Sequence, residues 1–150
     1  MLYIVHRNPI LNKSMDSFKV VFGNGARIER YDPKKNNLDV DCLFTTNVAL
    51  ADDGILKQMP TDQFDYILID EVHHIGASTY QKILKHFKPK FLMGMTATPD
   101  RTDGYDIYRF FNYNIAYDIR LREAMEYKLI CPFHYFGVAD LEIDDRSYDD

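Results

Sequence analysis

Short apolar runs separated by polar segments divide most of the sequence into alternating elements. We predict five strands, at residues 2–5, 26–31, 41–46, 64–69 and 91–95. Helices with an apolar face are predicted between them, at residues 9–22, 49–59 and 78–87. Strands that alternate with helices are typical of βα units, so the predicted fold class is α/β, with a parallel sheet flanked by helices.

The pattern changes after Gly104, where the predicted elements become less regular. We predict a strand at residues 114–119, a helix at 121–127 and a last strand at 132–138. Residues 140–150 carry six acidic side chains and one arginine, a composition typical of a linker. The predicted organisation is one domain over residues 1–138, followed over 139–150 by an acidic linker or the start of a connection to another domain.

Composition narrows the class of protein. A chain of 150 residues that is 46% hydrophobic can bury one sizeable core. Its net charge of −5 comes from the acidic segment, so charge neither supports nor excludes a nucleic-acid partner. Cys42 and Cys131 have no CxxC spacing, which favours free thiols and a cytoplasmic location. No apolar run approaches the ~20 residues of a membrane span, so no membrane partner is expected.

Two adjacent carboxylates end the fourth predicted strand. Residues 66–69 form an unbroken apolar run, typical of a strand buried on both faces, and Asp70 and Glu71 follow directly. Charged groups are not stable inside such a strand, so both are predicted at its carboxyl end, where open α/β sheets bind ligands. Nucleotide hydrolysis requires one carboxylate that holds Mg²⁺ and one that orients a water. The pattern therefore predicts an ATPase site that uses ATP and Mg²⁺.

A second motif, Thr-Ala-Thr-Pro, ends the fifth predicted strand. The ordered set VHR, FTT, DEVHH and TATPDRTDG, at residues 5–7, 44–46, 70–74 and 96–104, resembles the first motor domain of superfamily 2 helicases. The chain is most similar to the restriction-subunit type of DNA helicase and translocase, over about residues 1–138. The resemblance implies a RecA-like fold, ATP-dependent movement on nucleic acid, and double-stranded DNA as the expected partner.

The resemblance also implies roles for single residues of the DEAH-like box and of the threonine motif. Asp70, in the Walker B position, would ligate Mg²⁺ through its waters, and Glu71 would act as general base towards the attacking water. His73 would sense the nucleotide and couple hydrolysis to a second motor domain. Thr96 and Thr98 would link the hydrolysis site to the nucleic-acid track.

Contacts with the nucleic-acid track are implied for residues that follow the first and third predicted strands. His6, Arg7 and Thr46 would approach its phosphate backbone, and such contacts are insensitive to base sequence. The family usually carries a glutamine shortly after this threonine, but Val48 stands near that place.

The largest departure from the family is the absence of a phosphate-binding loop from the sequence. That loop requires G-x-x-x-x-G-K-[ST], whereas the only Lys-Ser pair, Lys13-Ser14, follows Asn12. In the family the loop precedes the strand equivalent to residues 2–5. We therefore expect an N-terminally incomplete RecA-like domain, inactive alone, whose parent chain supplies the loop and a second RecA-like domain.

Structural alternatives exist for several of these residues. The two carboxylates could be a solvated strand end, and His73 with His74 could suggest zinc, although adjacent histidines on a strand would point in opposite directions. Thr96 and Thr98 could cap a turn. Arg101 and Asp103 could form a local ion pair. Four lysines could form a nucleic-acid stripe or simply a solvated face: Lys82, Lys85, Lys88 and Lys90.

Three functions therefore remain open from the sequence. The first is an ATP-dependent DNA helicase or translocase. The second is an RNA helicase of the same architecture. The third is a non-catalytic, truncated motor that acts as a binding module.

Overall fold

The computed structural model describes residues 1–35, 38–100, 103–131 and 133. The chain divides into two compact units, Met1–Asn114 and Ile115–Asp150. The first unit contains one sheet of five strands in the order β2-β3-β1-β4-β5, and all neighbouring strands are parallel. The strands are β1 Leu2–Val5, β2 Ile28–Arg30, β3 Cys42–Thr46, β4 Tyr66–Asp70 and β5 Phe91–Met95. The predicted α/β class is confirmed, with strand ends that differ from the prediction by up to two residues.

Helix α1, Asn8–Phe22, covers one face of the sheet. It begins at a proline in its first turn and ends before Gly23, whose φ of 54° is readily adopted only without a side chain. Leu11 is fully buried in a cluster with β1 and β3. The predicted apolar face extended to Val21, but this side chain is 79% exposed because it lies off the stripe that contacts the sheet.

The helix predicted at residues 49–59 is wrong as a single element. The structure contains two short helices, α2 Asn47–Leu50 and α3 Asp53–Leu56. The carboxylate of Asp52 accepts hydrogen bonds from the backbone N–H groups of Gly54 and Ile55. A side chain that satisfies these donors starts a new helix, and this explains the break.

Helix α4, Ser78–His86, covers the opposite face of the sheet. Ile67 and Ile69 of β4 are fully buried there, in the cluster that includes Ile83 of α4. The expected burial of β4 on both faces is only partly right. Tyr66 is exposed and Leu68 is partly buried, because α1 packs mainly on β1, β2 and β3.

The second unit contains the helix α5, Leu121–Glu126, close to its predicted position. Residues 114–119 were predicted as a strand, but they have no strand pairing in the structure. Among residues 132–138 the structure describes only Phe133, so the last predicted strand and the boundary at 138 stay predictions. No helix in the described part of the chain is long and apolar enough to cross a membrane.

Gly94 in β5 provides a test of packing beside the site. A Cβ atom there would lie 2.6 Å from Cζ of Phe111 and 2.8 Å from Cγ2 of Val72. We expect Gly94→Ala to lower the free energy of unfolding by about 1–3 kcal/mol, because a closely packed core must shift to accept the methyl group. Urea denaturation measures this. Gly25→Ala, whose Cβ would meet nothing within 4 Å, is the control and should change stability little.

Candidate functional site

The site begins where β4 ends. Asp70 is the last residue of β4, and Glu71 adopts a left-handed conformation with φ 52° and ψ 47°. A residue other than glycine rarely takes this conformation, and it often does so at functional sites. The chain then enters a 3₁₀ turn, Val72–His74, which carries it out of the sheet. Both carboxylates therefore stand at the carboxyl edge of the sheet.

Both oxygens of Asp70 are held by hydrogen bonds. The backbone N–H of Glu71 donates to Oδ1 at 2.9 Å, and the phenol of Tyr3 donates to Oδ2 at 3.1 Å. Burial raises the pKa of Tyr3 to about 12, with a hydrogen bond from Ser14 acting in the opposite direction and Asp70 acting in the same direction. The sequence interpretation missed Tyr3, because its role depends on β1 lying beside β4.

The structure brings Glu71, His73 and the two threonines together around one nitrogen atom. Nδ1 of His73 lies 2.9 Å from Oγ1 of Thr96, 3.3 Å from Oε2 of Glu71 and 3.5 Å from Oγ1 of Thr98. The backbone N–H of Thr98 also donates to Oγ1 of Thr96 at 3.1 Å. One nitrogen can form only one good hydrogen bond at a time, so these oxygens compete for it. We call these four residues the His73 cluster.

The two histidines do not point in opposite directions, as a strand would require. They lie in the 3₁₀ turn, where their ring centroids are 4.1 Å apart, and the ring of His74 also lies 4.4 Å from that of His6. Within the described ranges, no group of three or more potential ligands is arranged to hold a metal ion. The histidines thus form a packed row from the end of β1 to the His73 cluster.

The residues implied as track contacts lie at the same edge of the sheet. His6 follows β1 and Thr46 ends β3. The two strands are parallel neighbours, and Val5 of β1 lies opposite Thr46 of β3. Arg7 is exposed at the start of α1. Oγ1 of Thr46 accepts from the N–H of Ala49 at 3.3 Å, so this hydroxyl caps α2. The structure thus gives Thr46 a structural contact of its own.

Tyr80 of α4 is a further polar group near the carboxylates. Its side chain is 1% exposed, and its hydroxyl is buried with no hydrogen-bond partner among the described residues. Burial raises the pKa of Tyr80, and the charges of Asp70 and Glu71 act in the same direction. The sequence gives little indication that Tyr80 belongs to the site, since an aromatic residue on the apolar face of a helix usually belongs to the hydrophobic core.

Two of the lysines of the predicted stripe form ion pairs on the surface. Lys82 pairs with Asp53 at 3.0 Å and Lys90 pairs with Asp65 at 2.6 Å, and all four side chains are well exposed. These pairs favour the interpretation as a solvated face. Arg101, considered above as a partner of Asp103, lies outside the described residues.

The carboxylates fit a magnesium ion by their chemistry. Mg²⁺ prefers oxygen ligands and keeps several of its waters, so one or two carboxylates at a solvent-facing edge are sufficient. Asp70 and Glu71 are partly exposed, and no lysine or arginine of the described part pairs with either carboxylate.

Comparison with solved structures supports the fold. The Sulfolobus solfataricus SWI2/SNF2 ATPase core in complex with dsDNA aligns with a TM-score of 0.55 and 24% sequence identity, over 73% of this chain and 24% of that chain. The five-stranded parallel sheet and its flanking helices therefore have the RecA-like fold of that ATPase core. The family described as "Type III restriction enzyme, res subunit" matches residues 1–101, well over half of the sequence. The chain belongs to this family, as the sequence motifs predicted.

Two curated relatives are longer proteins, and this chain matches only part of each. A "51.5 kDa protein" of a Lactococcus phage is 27% identical over 95% of this chain and 27% of its own length. The type I restriction enzyme EcoAI endonuclease subunit of Escherichia coli is 26% identical over 96% of this chain and 18% of its own length. The chain therefore spans about a quarter or less of the length of these relatives.

Proposed function

We propose that this chain forms part of the first motor domain of an ATP-dependent DNA helicase or translocase. The observation that carries the proposal is the His73 cluster, because it joins the end of β4, which bears the carboxylates, to the end of β5, which bears the threonines. A motor needs contacts of this kind, through which ATP hydrolysis at one residue can affect the residues that move along nucleic acid. An isolated solvated strand end would not need it.

Each residue of the carboxylate pair has a separate role in the proposed reaction. Asp70 would hold Mg²⁺ through its waters, and the ion would neutralise charge on the phosphates when bound. Glu71 would accept a proton from the attacking water, since its partly exposed carboxylate lies at the same edge of the sheet, with Oε2 3.3 Å from Nδ1 of His73. The left-handed backbone conformation of Glu71 determines the direction in which its side chain leaves the end of β4.

His73 is the proposed coupling residue. Its Nδ1 can bond to Glu71 when protonated, or to Thr96 in either tautomer, and it cannot satisfy both at full strength. A change of charge at the hydrolysis site would therefore be expected to alter the bond to Thr96. Thr96 and Thr98 would pass that change to the loop that follows β5.

The nucleic-acid track is proposed along the carboxyl edge of β1 and β3. The side chains at this edge are an imidazole, a guanidinium and a hydroxyl, which can donate hydrogen bonds to phosphate oxygens: His6, Arg7 and Thr46. Arg7 is exposed. The aligned SWI2/SNF2 core is described as a complex with dsDNA, which supports DNA as the partner. The free thiols Cys42 and Cys131 support a cytoplasmic location.

The phosphate-binding loop and a second RecA-like domain are proposed to come from the rest of a longer parent protein. The chain's coverage of at most about a quarter of its two relatives supports this organisation. The coding sequence upstream of Met1 tests it directly. An in-frame G-x-x-x-x-G-K-[ST] supports the motor, whereas its absence would favour a non-catalytic binding module.

The choice of DNA or RNA requires a separate experiment. ATP turnover by the full-length protein should rise when duplex DNA is added and should rise less with RNA of the same sequence. Equal salt concentrations are needed in both arms, because phosphate contacts weaken steeply with salt. Stimulation by RNA alone would replace the proposal with an RNA helicase.

Removing both threonine hydroxyls should uncouple the motor. In the full-length protein, Thr96→Ala with Thr98→Ala is expected to lower movement per ATP hydrolysed by at least about fivefold, the lower range of a site-to-site coupling energy. Basal ATP turnover should fall less. Strand displacement and phosphate release, measured on one preparation, give the ratio. Thr61→Ala is the control, because Thr61 is exposed and precedes the amino end of β4, whereas the His73 cluster lies at the carboxyl ends of β4 and β5.

If the hydroxyls serve only to cap the turn before Pro99, the result should differ. Thermal stability would then fall in the double variant while the ratio of movement to hydrolysis stayed at the wild-type value. That outcome would remove the coupling role from Thr96 and Thr98.

A further inference from the structure

Tyr3 places a hydrogen-bond donor on the proposed magnesium ligand. Tyr3 pairs with Leu68 across β1 and β4, and Asp70 lies two residues further along β4 and therefore points to the same face. The phenol donates to Oδ2 of Asp70 at 3.1 Å. Neither the family motifs nor the sequence pattern assigns this residue a role.

The ring of Tyr3 is fixed by its aromatic neighbours. It stacks on Phe44 of β3 with centroids 4.9 Å apart, and Phe18 of α1 packs against it edge-on at 5.5 Å. Only 4% of the residue is exposed. A phenol held in this way has little freedom to rotate, so its hydroxyl remains directed at the carboxylate.

The two bonds to Asp70 fix the plane of its carboxylate. One oxygen accepts from Tyr3 and the other from the backbone N–H of Glu71, and each oxygen retains a further lone pair. Mg²⁺ demands near-ideal octahedral geometry, so the direction of a carboxylate that contacts its waters affects binding. Hydrogen bonds behind a ligand commonly tune metal affinity for this reason.

We propose that Tyr3 is a positioning residue that orients the Asp70 carboxylate towards hydrated Mg²⁺. This inference rests on the proposed function, in which Asp70 holds the ion. It adds that the apolar face beneath α1 contributes to the nucleotide site. A phenylalanine at this position would fill the same space without the hydrogen bond.

The test measures nucleotide binding and does not depend on turnover. Binding of a fluorescent ATP analogue to the full-length protein is titrated with Mg²⁺ in wild type and in Tyr3→Phe. The variant keeps the ring contacts and removes only the hydroxyl. We expect the Mg²⁺ concentration at half-maximal binding to rise about tenfold, the usual lower effect of removing a hydrogen bond behind a metal ligand. Binding at saturating Mg²⁺ should change little.

Tyr113→Phe is the matched control. Its phenol donates to Oδ2 of Asp106 at 2.7 Å, so this variant also removes a tyrosine–carboxylate bond, but at an exposed position outside the sheet. Its Mg²⁺ midpoint should equal that of wild type. In an Asp70→Asn background, Tyr3→Phe should add no further shift, because the carboxylate that it orients is already gone.

The outcomes separate the inference from the proposed function. A Tyr3→Phe midpoint equal to that of wild type, with lower thermal stability alone, would show a purely structural tyrosine and overturn the inference. The proposed function would then stand if Asp70→Asn still shifted the midpoint. Nucleotide binding that did not depend on the Mg²⁺ concentration, in wild type and in Asp70→Asn, would instead overturn the role of Asp70.

Discussion

Replacing Glu71 with glutamine is expected to lower ATP turnover in the full-length protein by about 10²–10⁴-fold, the usual contribution of a general base. The amide keeps the size of the side chain but cannot accept a proton from water. Binding of Mg-ATP should remain within about twofold, so the loss falls on kcat. Steady-state turnover and equilibrium nucleotide binding, measured on the same protein, separate the two effects.

A matched variant excludes a general effect of lost negative charge. Glu126→Gln makes the same chemical change in α5, where the exposed carboxylate pairs with Arg122 on the surface, and it should leave turnover unchanged. Turnover of Glu71→Gln within a few-fold of wild type would remove Glu71 from the base role. Lost nucleotide binding would instead indicate that Glu71 holds the ion.

The 150-residue chain by itself is expected to hydrolyse no ATP and to bind Mg-ATP with a Kd weaker than about 1 mM, a binding free energy of only about 4 kcal/mol. In this architecture the loop N–H groups and the lysine of G-x-x-x-x-G-K-[ST] grip the phosphates, and the sequence has no such motif. Asp70 and Glu71 alone repel the nucleotide unless Mg²⁺ bridges them, and that ion keeps much of its water.

Titration calorimetry of the purified chain with Mg-ATP measures this affinity. Circular dichroism and a cooperative thermal transition establish first that the chain is folded. The full-length protein, titrated under the same conditions, serves as the positive control. Micromolar binding by the chain would show that its own residues hold the phosphates in a way that neither the motifs nor the sheet edge explains.

Local sequence patterns were sufficient for the five strands of the sheet, but the strand predicted at residues 114–119 is not formed. Apolar runs marked β1, β4 and β5, and charge placed Asp70 at the end of β4, because a carboxylate cannot remain inside a buried run. The same reasoning failed for the helix at residues 49–59. The side chain of Asp52 competes there for backbone N–H groups, an effect that hydrophobic periodicity does not contain.

Contacts across the sheet could not be derived from the sequence. The approach of His73 to Thr96 depends on β5 lying beside β4, and the bond from Tyr3 to Asp70 depends on β1 lying on the other side. Strand order is set by the packing of the whole sheet rather than by any single segment. The resemblance to helicases implied coupling roles for His73 and Thr96 separately, but only the structure supplied either contact.

The most direct measurement of the central claim is a structure of the full-length protein with ADP, Mg²⁺ and a fluoride mimic of the transferred phosphate. We expect the hydration shell of Mg²⁺ to contact the Asp70 carboxylate. The attacking water should lie within hydrogen-bond reach of Glu71, about 2.6–3.2 Å. A nucleotide bound at another edge of the sheet, with both carboxylates facing solvent, would contradict the account.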